Sequence, residues 1–145
     1  NMLNKILTQA NIGIDLIRNR SSKIIQNLLI MENTKIEKEI QPGQKIKYII
    51  AEQLQSLQYQ DLQHLIALEL MYSPNLTEIG DGVLSNQKLI GAFSYSNLIE
   101  VEFQQLKRVG SNAFYQLSQL KSAILPNCLA VGDRSFYWCK SLNIL

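Results

Sequence analysis

Two stretches decide the fold: Val109-Gly110-Ser111-Asn112-Ala113-Phe114 and Val131-Gly132-Asp133-Arg134-Ser135-Phe136. They stand 22 residues apart, and the same offset places Leu98 on Leu120 and Leu106 on Cys128. Upstream it places Leu54 on Leu76, Leu57 on Ile79 and Leu62 on Leu84. An offset of 30 joins the two halves, setting Leu76, Ile79, Gly80 and Leu84 on Leu106, Val109, Gly110 and Phe114. About eight residues are therefore inserted within 84–97. Four repeats follow: 46–67, 68–97 with the insertion, 98–119 and 120–141, with the start of a fifth from 142. A period of roughly 20–29 residues with leucine at fixed offsets marks a leucine-rich solenoid.

Within one repeat, the apolar positions show why it cannot stand alone. Leu98, Val101 and Phe103 open the third repeat; Ile46, Ile49 and Ala51 are their equivalents in the first, and Leu120, Ala123 and Leu125 in the fourth. The last two of each set are spaced by two, which turns both side chains to one face of a short strand. Gly110 and Gly132 come next, at a place where a tight bend would tolerate no Cβ. A small residue and a large plug follow, Ala113-Phe114 and Ser135-Phe136. Such a unit buries its apolar face only against its neighbours. The expected fold is an α/β-type repeat solenoid, with short parallel strands on one face and irregular or short helical segments on the other.

The two motifs, each followed six residues on by Leu120 or Leu142, resemble the BspA-like class of leucine-rich repeats. Leu125-Pro126 and Phe136-Tyr137-Trp138-Cys139 match that pattern in the fourth repeat, and Pro74 takes the proline position of the second. In the first repeat Gln58 replaces the glycine and Asp61-Leu62 replaces Ala-Phe. The resemblance implies recognition, and it implies a setting on the surface of bacteria or unicellular eukaryotes, where such arrays are common.

Residues 1–45 do not follow the period and are read as an N-terminal cap or degenerate repeats, with the tail of a different domain as the alternative. Stepping back by 22 places Ile24, Leu29 and Ile40 on the pattern, but Asn27, Glu32 and Lys35 on core positions. Leu3, Ile6, Leu7 and Ala10 have helical spacing, and so do Ile24, Ile25, Leu28 and Leu29 behind Ser21-Ser22 as a cap. A charged run at 33–39 and a Pro42-Gly43 turn separate this stretch from the array.

Composition narrows the function. Of 145 residues, 46% are hydrophobic and 18% charged, and the net charge is +2. Leucine and isoleucine supply 40 residues and asparagine and glutamine 26, giving an aliphatic core under a polar, mostly uncharged surface. That apolar content disfavours disorder. Scattered Lys and Arg make no basic stripe, so nucleic acid is not expected as a partner. No apolar run approaches the roughly 20 residues that span a bilayer, so no membrane insertion is expected within this segment. The apolar start of the chain is broken by Asn4, Lys5, Gln9 and Asn11, so it does not read as a signal peptide.

Candidate chemistry is sparse. Cys128, Cys139 and His64 fall short of the four ligands of structural zinc. Both cysteines sit on core positions, where a thiol behaves as a small hydrophobe, and His64 has no nearby carboxylate or serine in sequence. Gly80, Gly82 and Gly91 lack phosphate-loop spacing. No cofactor, metal or catalytic residue is expected. Sequons occur at Asn19 and Asn75, and glycosylation there would need a secretory route.

What remains is the strand face turned away from the core: Tyr48 and Ile50, Leu70 and Tyr72, Glu100 and Glu102, Ser122 and Ile124. Parallel strands bring these residues side by side at about 4.8 Å per step. Large apolar residues at exposed positions mark contact sites, and tyrosine is favoured there. Two different readings remain: the insertion covers Leu70 and Ile50, or the register slips and Leu65, Leu68 and Leu70 form the strand, which turns Leu70 inward. The expected function is a non-catalytic protein-interaction module of a cell-surface or adhesion-type protein. The alternatives are an intracellular scaffold, or an accessory array of an enzyme whose catalytic domain lies outside this chain.

Overall fold

A computed structural model describes residues 1–18, 23–34, 45–58, 61–62, 65, 67–82, 88–89, 92–93 and 97–145. The Ser21-Ser22 cap, the Pro42-Gly43 turn, Asn19, His64, Leu84 and Gly91 lie outside the described residues. The chain runs α1 (Met2–Ala10), α2 (Asp15–Arg18), β1 (Lys23–Ile25), β2 (Leu28–Ile30), β3 (Tyr48–Ile50), β4 (Ser56–Leu57), β5 (Leu70–Tyr72), β6 (Glu78–Ile79), β7 (Lys88–Leu89), β8 (Ala92–Phe93), β9 (Glu100–Glu102), β10 (Arg108–Val109), β11 (Ser122–Ile124) and β12 (Ala130–Val131).

These elements wind into a β-solenoid of about three turns with a period of about 22 residues. One ladder is built from the strand at the head of each repeat. β2, β3 and β5 pair in parallel, β9 and β11 pair in parallel, and Ile99 N–H donates to Glu69 O between the two groups. A second ladder stacks β4, β6, β10 and β12 in parallel, with Leu57, Ile79, Val109 and Val131 in register. The side opposite the first ladder is thus partly strand, each strand only two residues long. β7 and β8 form an antiparallel hairpin inside the insertion.

The interior holds the residues that the period picks out. Ile46, Ile49, Ala51, Leu54, Leu57, Leu65, Leu68, Met71, Leu76, Ile79, Val101, Phe103, Leu106, Val109, Phe114 and Leu117 form one buried cluster. Inter-coil polar bonds reinforce it. The Asn75 amide donates to Glu52 O at 2.7 Å, and the equivalent Asn127 amide to Gln104 O at 2.8 Å. The buried Ser135 hydroxyl lies 2.8 Å from Gly110 O and 2.6 Å from Gly132 O, one proton serving two carbonyls.

Gly110 and Gly132 are needed for a reason other than a bend. Neither has positive φ. A Cβ on Gly110 would stand 2.4 Å from Gly80 C, and one on Gly132 2.4 Å from Ser111 N. Close stacking of coils therefore excludes a side chain. The left-handed residue comes two positions later: Gly82 (φ 68°), Asn112 (57°) and Arg134 (56°).

The N-terminal stretch departs from expectation in one element. α1 forms where Leu3, Ile6, Leu7 and Ala10 predict a helix, with Asn4 N–H donating to Asn1 Oδ1 and Asn11 capping in the left-handed region. The helix expected over Ile24–Leu29 is instead the antiparallel hairpin β1–β2, turning at Gln26 (φ 53°) and Asn27. Tertiary pairing decides this. Leu28–Ile30 is fully buried and extends the ladder beside β3. Its offset from β3 is 20 residues, Leu28 beside Tyr48, so the 22-residue step misses it. Leu29 and Met31 then reach the core.

Candidate interaction surface

The outward strand positions pair as the period requires: Tyr48 beside Leu70, Ile50 beside Tyr72, Glu100 beside Ser122, Glu102 beside Ile124. Leu70 points outward and Met71 inward, so the strand over Leu65, Leu68 and Leu70 does not form. Accessibility along this face is uneven. Tyr48, Ile50 and Leu70 are buried, Leu70 at 1% exposure, and this corrects the exposed ribbon expected of them. The physical cause is α1. Met2, Ile6, Leu7 and Ala10 lie on one stripe of the helix and pack on Leu28, Ile30, Tyr48, Ile50 and Leu70 in a second apolar cluster, with Tyr72 at its margin. Lys5 forms an ion pair with Glu100 beside that stripe.

Tyr72, Glu100, Glu102 and Ser122 are half-buried, and Ile124 is 41% exposed. Glu102 accepts a bond from the Gln104 amide at 2.7 Å. Burial pushes the Tyr72 phenol above its ordinary value, and the Glu52 carboxylate adds to the rise. Tyr48 is raised the same way, by burial first and then by Glu69. Both phenols are therefore neutral hydrogen-bonding groups at neutral pH.

The last coil carries further accessible apolar residues. Val131 is 56% exposed although its equivalents Ile79 and Val109 are buried, because no described coil covers it. Phe136 stacks on Phe114 at 4.8 Å, 6° from parallel, and Tyr137 stacks on Tyr115 at 5.6 Å. Lys140 Nζ stands 5.3 Å from the Trp138 ring centre.

Groups capable of chemistry are dispersed. Burial pushes the Cys139 thiol up, a backbone bond with Leu117 opposes the rise, and the thiol donates to Phe114 O at 3.0 Å. Cys128 is half-buried, 3.4 Å from Ala130 O. Among the described residues no group of three or more His, Cys, Asp or Glu could hold a metal. A trough of about 440 Å³ is lined by Gln53, Gln55, Asn75, Thr77 and Gln105, all neutral. Among the described residues no helix is long and apolar enough to cross a membrane.

The covering helix is the element that the sequence reading of the face misses. Its signal was present as two unpartnered apolar surfaces: the stripe Met2, Ile6, Leu7 and Ala10, and the outward trio Tyr48, Ile50 and Leu70. Each is costly in water and complementary to the other.

A family model described as BspA type leucine rich repeat region (6 copies) matches residues 90–145. Comparisons with curated proteins and with solved structures give no match. Over residues 90–145 the chain is similar to that family, with Gly110 and Gly132 packed against the coils before them and Phe114 stacked on Phe136, and the similarity suggests a protein-interaction module.

Proposed function

We propose that the chain is a non-catalytic recognition module that binds a protein through the accessible part of its strand face. Tyr72, Glu100, Glu102, Ser122 and Ile124 form the contact, and residues 1–45 cap the array of residues 46–145. The observation that carries this reading is the row of outward residues beyond α1. There an exposed isoleucine and two carboxylates stand on paired strands, Glu102 beside Ile124, with the half-buried Tyr72 on β5. Apolar and aromatic groups rimmed by charge are the composition of interface centres. A partner matched to this surface presents apolar side chains beside Lys or Arg.

The family resemblance supports a place in a cell-surface or adhesion-type protein. A second reading, an intracellular scaffold, is favoured by the two unpaired thiols, since oxidising compartments tend to pair cysteines. An accessory array serving a separate catalytic domain would use the same face.

The test compares partners captured by the whole chain with those captured by Glu102→Lys and Ile124→Asp. Both substitutions should abolish the specific partner while leaving the thermal midpoint unchanged. Retention of the same partner by both stable variants would place recognition elsewhere. Impermeant biotin labelling of intact source cells separates the surface reading, which requires labelling, from the scaffold reading.

A further inference from the structure

Asn75 and Thr77 are exposed where the chain leaves β5, and Leu76 between them is fully buried in the core. That alternation sets the asparagine and the threonine on one side of the chain, over a common apolar anchor. Asn75-Leu76-Thr77 is also an N-x-T tripeptide, the acceptor pattern for transfer of an oligosaccharide to asparagine. The other such tripeptide, at Asn19, lies outside the described residues. Coil geometry requires the asparagine more than the threonine. The bond from Asn75 to Glu52 O recurs from Asn127 to Gln104 O, yet Leu129 stands two residues after Asn127.

We infer that Asn75 is a modification site that carries an N-linked oligosaccharide on Nδ2. This rests on the cell-surface reading, which supplies the secretory route. Transfer forms a bond from Asn75 Nδ2 to the anomeric carbon of an oligosaccharide held on a lipid pyrophosphate. The bond from that carbon to the pyrophosphate oxygen breaks, and one amide proton passes to a base of the transferase.

The folded coil has room for the product. Asn75 and Thr77 line a trough of about 440 Å³ together with Gln53, Gln55 and Gln105, a volume within the roughly 300–1,000 Å³ of small-molecule sites. The lining is neutral, and its amides and hydroxyl can donate to and accept from sugar hydroxyls. Asn75 Nδ2 carries two hydrogens; the 2.7 Å bond to Glu52 O uses one, and the linkage replaces the other. The Thr77 hydroxyl, which a transferase must read, is committed to Gln55 O at 3.0 Å in the folded chain. Sugar is therefore added before this coil closes and is accommodated afterwards. Tyr72, Glu100, Glu102, Ser122 and Ile124 are not among the trough residues, so the oligosaccharide leaves the proposed contact clear.

The experiment uses the whole chain purified from its source cells and treated with peptide-N-glycosidase. The enzyme turns each released asparagine into aspartate, which marks the site by mass spectrometry. Loss of the sugar mass with an aspartate at position 75 is the expected result, and an unmodified Asn75 overturns the inference. A second arm passes the chain through a eukaryotic secretory host behind a cleavable leader. One glycosidase-sensitive mass step should disappear in Asn75→Gln and equally in Thr77→Val, which keeps the amide and its bond to Glu52 O. A step that survives both substitutions also overturns the inference. Impermeant labelling separates the two readings. A chain labelled at the cell surface with Asn75 bare sinks the modification alone, whereas a chain neither labelled nor glycosylated sinks the surface reading with it.

Discussion

A Cβ placed on Gly110 would lie 2.4 Å from the carbonyl carbon of Gly80, the equivalent residue of the coil before it. The backbone of one coil passes against that of the next too closely for any side chain to stand between them. The contact is made again one step further, where a Cβ on Gly132 would lie 2.7 Å from Gly110 C. Gly80 is looser. Its nearest neighbours would be Gln58 Oε1 at 3.2 Å and Leu57 O at 3.3 Å, and the first of these is a flexible side-chain end.

Alanine at these positions should therefore give a graded result. Gly110→Ala forces a backbone shift and is expected to cost about 3 kcal/mol, at the upper end of overpacking penalties. Gly80→Ala needs Gln58 to swing aside and the Leu57 carbonyl to give by a small amount, and should cost about 1 kcal/mol. Chemical denaturation of the two variants checks the order, and equal losses would refute the stacking account of these glycines.

The aromatic plugs should show a gradient from the interior to the open end. Phe114 is fully buried and stacks on Phe136, which is only half-buried. Phe114→Ala removes a large side chain from a packed interior and should cost about 4 kcal/mol. Phe136→Ala should cost about half as much, because part of its ring already meets water. Thermal or denaturant unfolding of both variants measures the ratio.

The period was legible because each coil repeats the same local problem. Leu57, Ile79, Val109 and Val131 occupy one register position in sequence and in the stacked ladder alike. The period fails where the step changes, since β2 joins β3 at an offset of 20 and its neighbours fall off a 22-residue grid. Glycine in the sequence suits a bend and a close approach of coils equally well, so Gly110 and Gly132 do not by themselves distinguish the two. The covering of Tyr48, Ile50 and Leu70 lay beyond pattern analysis for a different reason. Periodicity tells which face a side chain takes, whereas α1 reaches that face from more than 30 residues away through long-range complementarity.

Cys139 should be a slow thiol. Burial raises its ionisation above the ordinary range against the opposing bond with Leu117, and the sulfur donates to Phe114 O. Thiolate is the reactive form, so a raised ionisation suppresses nucleophilicity at neutral pH. In a Cys128→Ala background, disulfide-exchange labelling of Cys139 should be slower in the native chain than in denaturant. Its rate should also rise toward a plateau at higher pH than for a free thiol. Native labelling as fast as unfolded labelling would show the thiol to be open.

Asp61 sets up the remaining test, through pH. Its carboxyl is raised above 3.8, chiefly by burial, while the bond from Gln58 N–H at 2.6 Å pulls the other way. A carboxyl raised by folding binds its proton more tightly in the native state than in the unfolded one. Its favourable contribution is full below the unfolded value and is lost as pH climbs through the folded one. Asp61→Asn keeps an oxygen to accept from Gln58 while removing the charge whose burial is unfavourable. The midpoint of the native chain, relative to Asp61→Asn, should therefore fall as pH rises from below 3.8 toward neutrality. Melting both chains across that range isolates Asp61, because the other carboxylates are common to the pair. A constant difference would mean that solvent reaches Asp61 freely. The opposite slope would mean that the Gln58 bond outweighs the burial.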